Sequence, residues 1–120
     1  MSLPRENRLT RSREIQRVRE KGRRINAGPY LVFFMRREEG LGDPPRLCVV
    51  TSRRVGPAVS RNRARRRMKE LFRAALEDLP RGLDMVIIAR RSLPDHPFPD
   101  LRTRFAKTVV QANREYPQTS

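Results

Sequence analysis

A helically spaced set of apolar residues runs straight through the most basic segment of this chain, which forces that segment to be a helix moored to a core. From Ser60 to Arg73 (SRNRARRRMKELFR), seven of fourteen residues are Arg or Lys. Through the same stretch and just beyond, Ala64, Met68, Leu71, Phe72, Ala75 and Leu79 recur on one side of a 3.6-residue period. Asn62, Arg66, Lys69 and Arg73 fall on the opposite side. A solvated charged tail has no such apolar face. Cations packed this densely repel one another, so the stripe calls for a polyanion, with nucleic acid the first candidate.

Composition decides whether the rest of the chain can supply that core. Leu, Ile, Val and Phe make up 29 of 120 residues against a net charge of +15. That share exceeds the roughly 20% below which a highly charged chain stays disordered. One domain over residues 1–120 is therefore expected, with bound anions raising its melting temperature. A lone cysteine, Cys48, cannot close an internal disulfide. No secretory start is visible at the N-terminus, and the apolar runs are too short to span a bilayer. The expected location is the cytoplasm. A membrane-surface role would need a free apolar helix face, and here that face is consumed by the core. No membrane and no obligate protein partner are expected.

The order of elements predicts an α+β domain, with helices on an antiparallel or mixed sheet. Residues 1–9 read as a flexible arm and 117–120 as a mobile tail. A first helix, capped by Thr10 or Ser12, runs to Lys21 with Ile15 and Val18 inward and Gly22 as its stop. YLVFFMR after Pro29 is a strand. Residues 38–45 form a turn, and 46–54 form a second strand that can be divided near Thr51. The basic helix spans about 58–79, DMVIIARR is an apolar strand, and 92–100 is a proline-rich loop. A last helix covers about 100–115 with Leu101, Phe105, Val109 and Ala112 on one side.

The residue types needed for unaided catalysis are missing or scattered. His96, the only histidine, sits in the proline-rich loop and reads as a solvated side chain. Cys48 lies between Leu47 and Val49 and reads as a small core residue. No His/Cys set has zinc spacing, the carboxylates show no convergence fit for two-metal hydrolysis, and no glycine-rich phosphate loop is present. No catalytic residue and no protein-held metal are expected. The basic set, by contrast, extends past the helix: Arg53 and Arg54 end the second strand, and Arg90 and Arg91 end the strand after the helix. If those strands are neighbours, four guanidiniums approach the stripe, and the planar donor fork of Arg suits phosphate. In YLVFFMR one of Phe33 or Phe34 can face outward as a stacking platform for single-stranded RNA; both in the core is an equally good fit to the pattern.

Arg61-Asn62-Arg63, followed by Arg65-Arg66 and Lys69-Glu70, resembles the helix motif of the protein subunits of bacterial ribonuclease P. The likeness covers most of the chain. Asn7-Arg8-Leu9, Ser52-Arg53-Arg54-Val55-Gly56, Ala58-Val59 and Ile87-Ile88-Ala89-Arg90 fall in that family's order, and the RNR element with its upstream Ser-basic-basic-x-Gly is the specific part. The resemblance implies an α/β sandwich, α-β-β-β-α-β-α, with a left-handed crossover through the basic helix. It also implies that an RNA partner performs a magnesium-dependent hydrolysis, removing the 5′ leader of precursor tRNA, with Mg2+ held mainly by RNA.

Carried over by position, Arg61, Asn62, Arg63, Arg65, Arg66 and Lys69 would contact the catalytic RNA or organise metal and phosphate near the cleavage site; Arg53, Arg54 and Arg73 join this RNA-binding set by their place in the basic constellation. Ile15, Arg19, Phe33, Val50, Ser52, Arg53 and Arg90 would line or edge a cleft for the single-stranded leader. Ile15 and Arg19 stand where the family often has phenylalanines, so a cation replaces a ring at Arg19. Lys69 keeps charge but lacks a bidentate fork. Two other readings fit the composition: a small ribosomal or RNA-chaperone protein, and a nuclease acting by itself, which the missing acidic or histidine centre disfavours.

Overall fold

The computed structural model describes residues 3–117. Its elements are α1 (Ser12–Lys21), β1 (Arg23–Asn26), β2 (Tyr30–Arg36), β3 (Arg46–Val50), α2 (Ala58–Ala74), β4 (Leu83–Ala89) and α3 (Phe98–Glu115). The strands form one sheet in the order β1-β2-β4-β3. β1 and β4 each pair antiparallel with β2, whereas β3 and β4 run parallel. A parallel pair needs a crossover, and the basic helix α2 is that crossover. The α-β-β-β-α-β-α order of the sequence reading holds, but the third early strand is Arg23–Asn26, not a division of 46–54 near Thr51. RRIN offers only Ile25 as an apolar residue, and as an edge strand it needs no more.

Side-chain alternation gives the sheet two different faces. On one, Tyr30, Val32, Phe34, Leu47, Met85 and Ile87 are buried with Ala64, Met68, Leu71 and Phe72 of α2 and Leu101 and Phe105 of α3. This is the main core, and it takes all the apolar spacing that marked α2. Tyr30 is fully buried, its hydroxyl paired with Thr108 Oγ1 at 2.8 Å. The other face carries Leu9, Val18, Phe33 and Val86, with Ile15, Leu31, Cys48, Val50 and Ile88 partly buried beside them. Only α1, ten residues long, covers it, lying against β2 and β4.

Several local expectations are corrected. The segment read as an arm is packed from Leu3 onward: Leu3 and Leu9 are buried, and the Asn7 amide donates to Pro45 O at 2.9 Å. Leu9 N also bonds Leu47 O at 3.0 Å, so this segment closes the outer edge of β3. The expected tail at 117–120 lies outside the described residues beyond Pro117. Arg11 holds the N-cap position of α1 and makes no side-chain cap, so neither Thr10 nor Ser12 fills that role. α2 stops at Ala74 because Ala75 N and Leu76 N turn back to carbonyls three residues earlier; Leu79 is buried from the turn that follows. Gly22 does end α1, through close approach and not through a left-handed backbone: a Cβ there would lie 2.4 Å from Val18 O and 2.9 Å from Phe34 O.

Candidate nucleic-acid interface

Strand ends and helix start converge on one edge of the molecule because β3 and β4 run the same way. After Val50, Ser52 accepts a hydrogen bond from Arg54 N at 3.3 Å and folds 53–55 into a tight turn. Gly56, with φ of +136°, then redirects the chain into α2. After Ala89, β4 releases Arg90 and Arg91 at the same end. The groove between these exits, about 490 Å³, is lined by Ser52, Arg54, Ile88, Ala89, Arg90 and Arg91. Of the four arginines that sequence placed at two strand ends, Arg54, Arg90 and Arg91 line this groove, and Arg53 lies in the tight turn that follows β3. Arg90 is held there by donating to Asn26 Oδ1 at 2.7 Å and Gly28 O at 3.1 Å.

Along α2 the cations divide into kinds that sequence cannot separate. Arg61, Arg65, Arg66, Lys69 and Arg73 make no salt bridge among the described residues; Arg63 meets Asp95 at 3.2 Å on an exposed surface. Arg65 donates to Thr51 Oγ1 and Asn62 Oδ1, which ties the helix to the end of β3. Asn62 thus serves first as an internal acceptor. Arg67 is spent on the fold: its Nη1 donates to Leu93 O and Pro94 O, each at 2.8 Å, and its guanidinium sits 5.4 Å from the Phe98 ring centre. Among the described residues, Arg63 is the one cation of this ridge that pairs with a carboxylate.

Beside the ridge lies the less covered part of the second sheet face. Strand register puts Asn26, Leu31, Ile88 and Val50 in one row across all four strands, and Arg24, Phe33, Val86 and Cys48 in the next. Leu31, Ile88 and Val50 are half-buried, with no helix fully over them. At strand spacing of about 4.8 Å, this apolar row is roughly 10 Å long, room for at most about three nucleotides at a stacked rise of 3.4 Å. Ile15 borders it from α1. Burial raises the Cys48 thiol pKa, while the charges of Lys69 and Arg19 pull it the other way. Cys48 is half-buried in the floor of this trough, not enclosed as sequence suggested.

Phe33 decides between the two aromatic readings in favour of both rings in the core. It is only 9% exposed, packed under α1 with Val18 and Val86, and Phe34 is fully buried on the other face. Neither ring is open for stacking, because a ring at the centre of β2 is covered wherever a helix crosses. Among the described residues, no three His, Cys, Asp or Glu side chains converge as a metal site. His96 is not freely solvated: it bonds Asp100, which also accepts from Arg104 Nε at 2.6 Å. A second groove of about 630 Å³ between α2 and α3 is rimmed by Glu70 and Asp78 over Leu71, Phe98, Phe105 and Val109, chemistry unsuited to a polyanion. No described helix is long and apolar enough to cross a membrane. Sequence reading missed Arg24, Asn26 and Thr51; only strand pairing, which is non-local, brings them to this surface.

Fold and surface define the class: a small α/β module that presents a cationic crossover helix and an adjoining trough to a polyanion. A family model described as Ribonuclease P matches residues 3–113. The ribonuclease P protein component of Chloroflexus aurantiacus is 40% identical over 108 residues, 88% of this chain and 76% of the relative. That of Oleidesulfovibrio alaskensis is 38% identical over 91 residues, 76% of this chain and 72% of the relative. The RNase P protein structure from Thermotoga maritima superposes with a TM-score of 0.73 at 25% identity, covering 87% of this chain and 96% of that one. One from Staphylococcus aureus gives 0.73 at 23% identity, covering 88% and 93%, a likeness of fold. The chain belongs to the ribonuclease P protein-component family, and tRNA processing is the work of that family.

Proposed function

We propose that this protein is the RNA-binding subunit of a ribonuclease P ribonucleoprotein and that it assists an RNA catalyst in removing the 5′ leader of precursor tRNA. The α2 ridge, with Arg61, Arg63, Arg65, Arg66, Lys69 and Arg73 flanked by Arg53 and Arg54, grips the catalytic RNA. Asn62 holds Arg65 in place within it. The trough takes the single-stranded leader: Leu31, Val50 and Ile88 offer a surface for bases, while Arg19, Ser52 and Arg90 meet phosphates at its rims. The supporting observation is a row of cations of which, among the described residues, only Arg63 has a carboxylate partner. Unpaired guanidiniums at this density are costly to keep together, and phosphate relieves that cost.

In this reading the protein lowers repulsion between two polyanions and orients the leader; it transfers no proton and attacks no bond. In it the hydrolytic centre and its Mg2+ belong to the RNA partner and the substrate phosphates. Incubation of precursor tRNA with Mg2+ and the protein, with and without the catalytic RNA, tests the proposal. Stimulated cleavage at near-physiological salt only when the RNA is present supports it. Cleavage by protein alone, or no effect in either tube, refutes it, and the latter result favours a ribosomal or chaperone role.

A further inference from the structure

We infer that Glu14 is a positioning residue for the leader: through Arg46 it holds α1 over the sheet and so sets the width of the trough. This rests on the leader assignment proposed above. Besides this network α1 has one exposed ion pair, Arg17 to Glu38 at 3.0 Å, and little packing. Val18 is its one buried residue and Ile15 is half-buried. A cavity of about 30 Å³ remains beneath it, lined by Glu14, Arg17, Val18, Met35, Arg37 and Asp84. The Nε of Arg37, at this cavity, is buried without a hydrogen-bond partner. Close packing, the usual cement of a helix on a sheet, is thin here.

An ion network stands in its place. Arg46 on β3 donates Nε and Nη2 to the two oxygens of Asp84, each at 2.8 Å. The same guanidinium reaches up to Glu14, with Nη2 to Oε2 at 2.8 Å and Nη1 to Oε1 at 3.4 Å. Asp84 is itself buried and also meets Arg37 at 3.2 Å. The sheet half of the network is thus fixed independently of α1, and Glu14 is the only α1 residue bonded to it. Arg46, Asp84 and Met35 form the row next to Phe33, Val86 and Cys48 on the trough face. Glu14 directly precedes Ile15, and Arg19 follows just over one helical turn later. A shift of α1 at Glu14 therefore moves both trough-lining side chains.

Glu14→Gln tests this cleanly, because Arg46 keeps both bonds to Asp84 and no buried charge loses its partner. Affinities of the assembled ribonucleoprotein for precursor tRNA and for leaderless tRNA are measured side by side, along with affinity for the catalytic RNA. The expected result is a loss of about five-fold in the leader-dependent gain alone, with leaderless and catalytic-RNA binding unchanged. Glu14→Asp, which keeps the charge, is expected to retain part of the gain, and it supplies the comparison should the Gln variant fold poorly. An undiminished leader gain in Glu14→Gln overturns the inference, as does an equal fall for leaderless tRNA, which would mark a merely structural role. Absence of any leader gain in the unmodified protein overturns the leader assignment together with it.

Discussion

Arg66 and Arg67 are neighbours of identical chemistry on one helix, and the structure assigns them opposite consequences. Arg66 is exposed and makes no salt bridge among the described residues. Its replacement by Ala should change stability by no more than about 0.5 kcal/mol. One lost phosphate contact should lower the salt slope of catalytic-RNA binding by about 0.9 and weaken affinity about five-fold near 0.15 M salt. Arg67 bonds the carbonyls of Leu93 and Pro94, both buried residues, and lies over Phe98. Truncating it leaves two carbonyls short of a charged donor, each worth about 1–1.5 kcal/mol where water can partly replace it. The lost ring contact adds roughly 0.5 kcal/mol. Arg67→Ala should therefore cost about 3 kcal/mol and lower the melting temperature by about 10 °C, while the folded fraction binds RNA with an unchanged salt slope. Thermal melts and filter binding at four salt concentrations make the comparison. A stable Arg67→Ala protein with a reduced slope would refute the division of the helix into free and committed cations.

Phe33→Ala should lose about 3–4 kcal/mol of stability, since a covered ring leaves a cavity; an unchanged denaturation midpoint with weaker leader binding would instead mark an open stacking ring. Gly22→Ala should destabilise by about 2 kcal/mol, because its Cβ collides with backbone carbonyls of α1 and β2, as read by melting temperature. Burial lifts the Tyr30 phenol pKa to about 12. The folded value is raised, so this contribution is intact below pH ~10, where the unfolded phenol also stays protonated, and is lost as pH climbs through 12. Unfolding free energy should fall by about 1.4 kcal/mol per pH unit across that window, and Tyr30→Phe should abolish this slope in urea titrations.

The main elements were legible because their signals are local. Apolar spacing identified α2 through its arginines, a run rich in aromatic and β-branched residues identified β2, and a continuous apolar run identified β4. β1 was not legible: RRIN owes its strand conformation to pairing with Asn26↔Leu31 through Arg23↔Phe34, and nothing within four residues encodes that. The packed N-terminal segment was missed for the same reason, since Leu3, Asn7 and Leu9 are ordered by partners more than thirty residues away, such as Pro45 and Leu47. The choice at Phe33 stayed open in the sequence for a geometric reason: alternation tells that two faces exist, not how much of each a short helix covers.

For the interface, the sequence by itself determined that a dense cationic stripe would stand outward on a moored helix, because a 3.6-residue period sorts side chains with no help from the rest of the chain. Tertiary structure decided which of those cations remain available. A guanidinium on a long flexible stem takes whatever acceptor lies within its reach, and that is a carbonyl of the 92–97 loop for Arg67, Thr51 for Arg65 and Asp95 for Arg63. The parallel pairing of β3 and β4, likewise invisible in either strand alone, is what delivers Arg53, Arg54, Arg90 and Arg91 to one end of the trough.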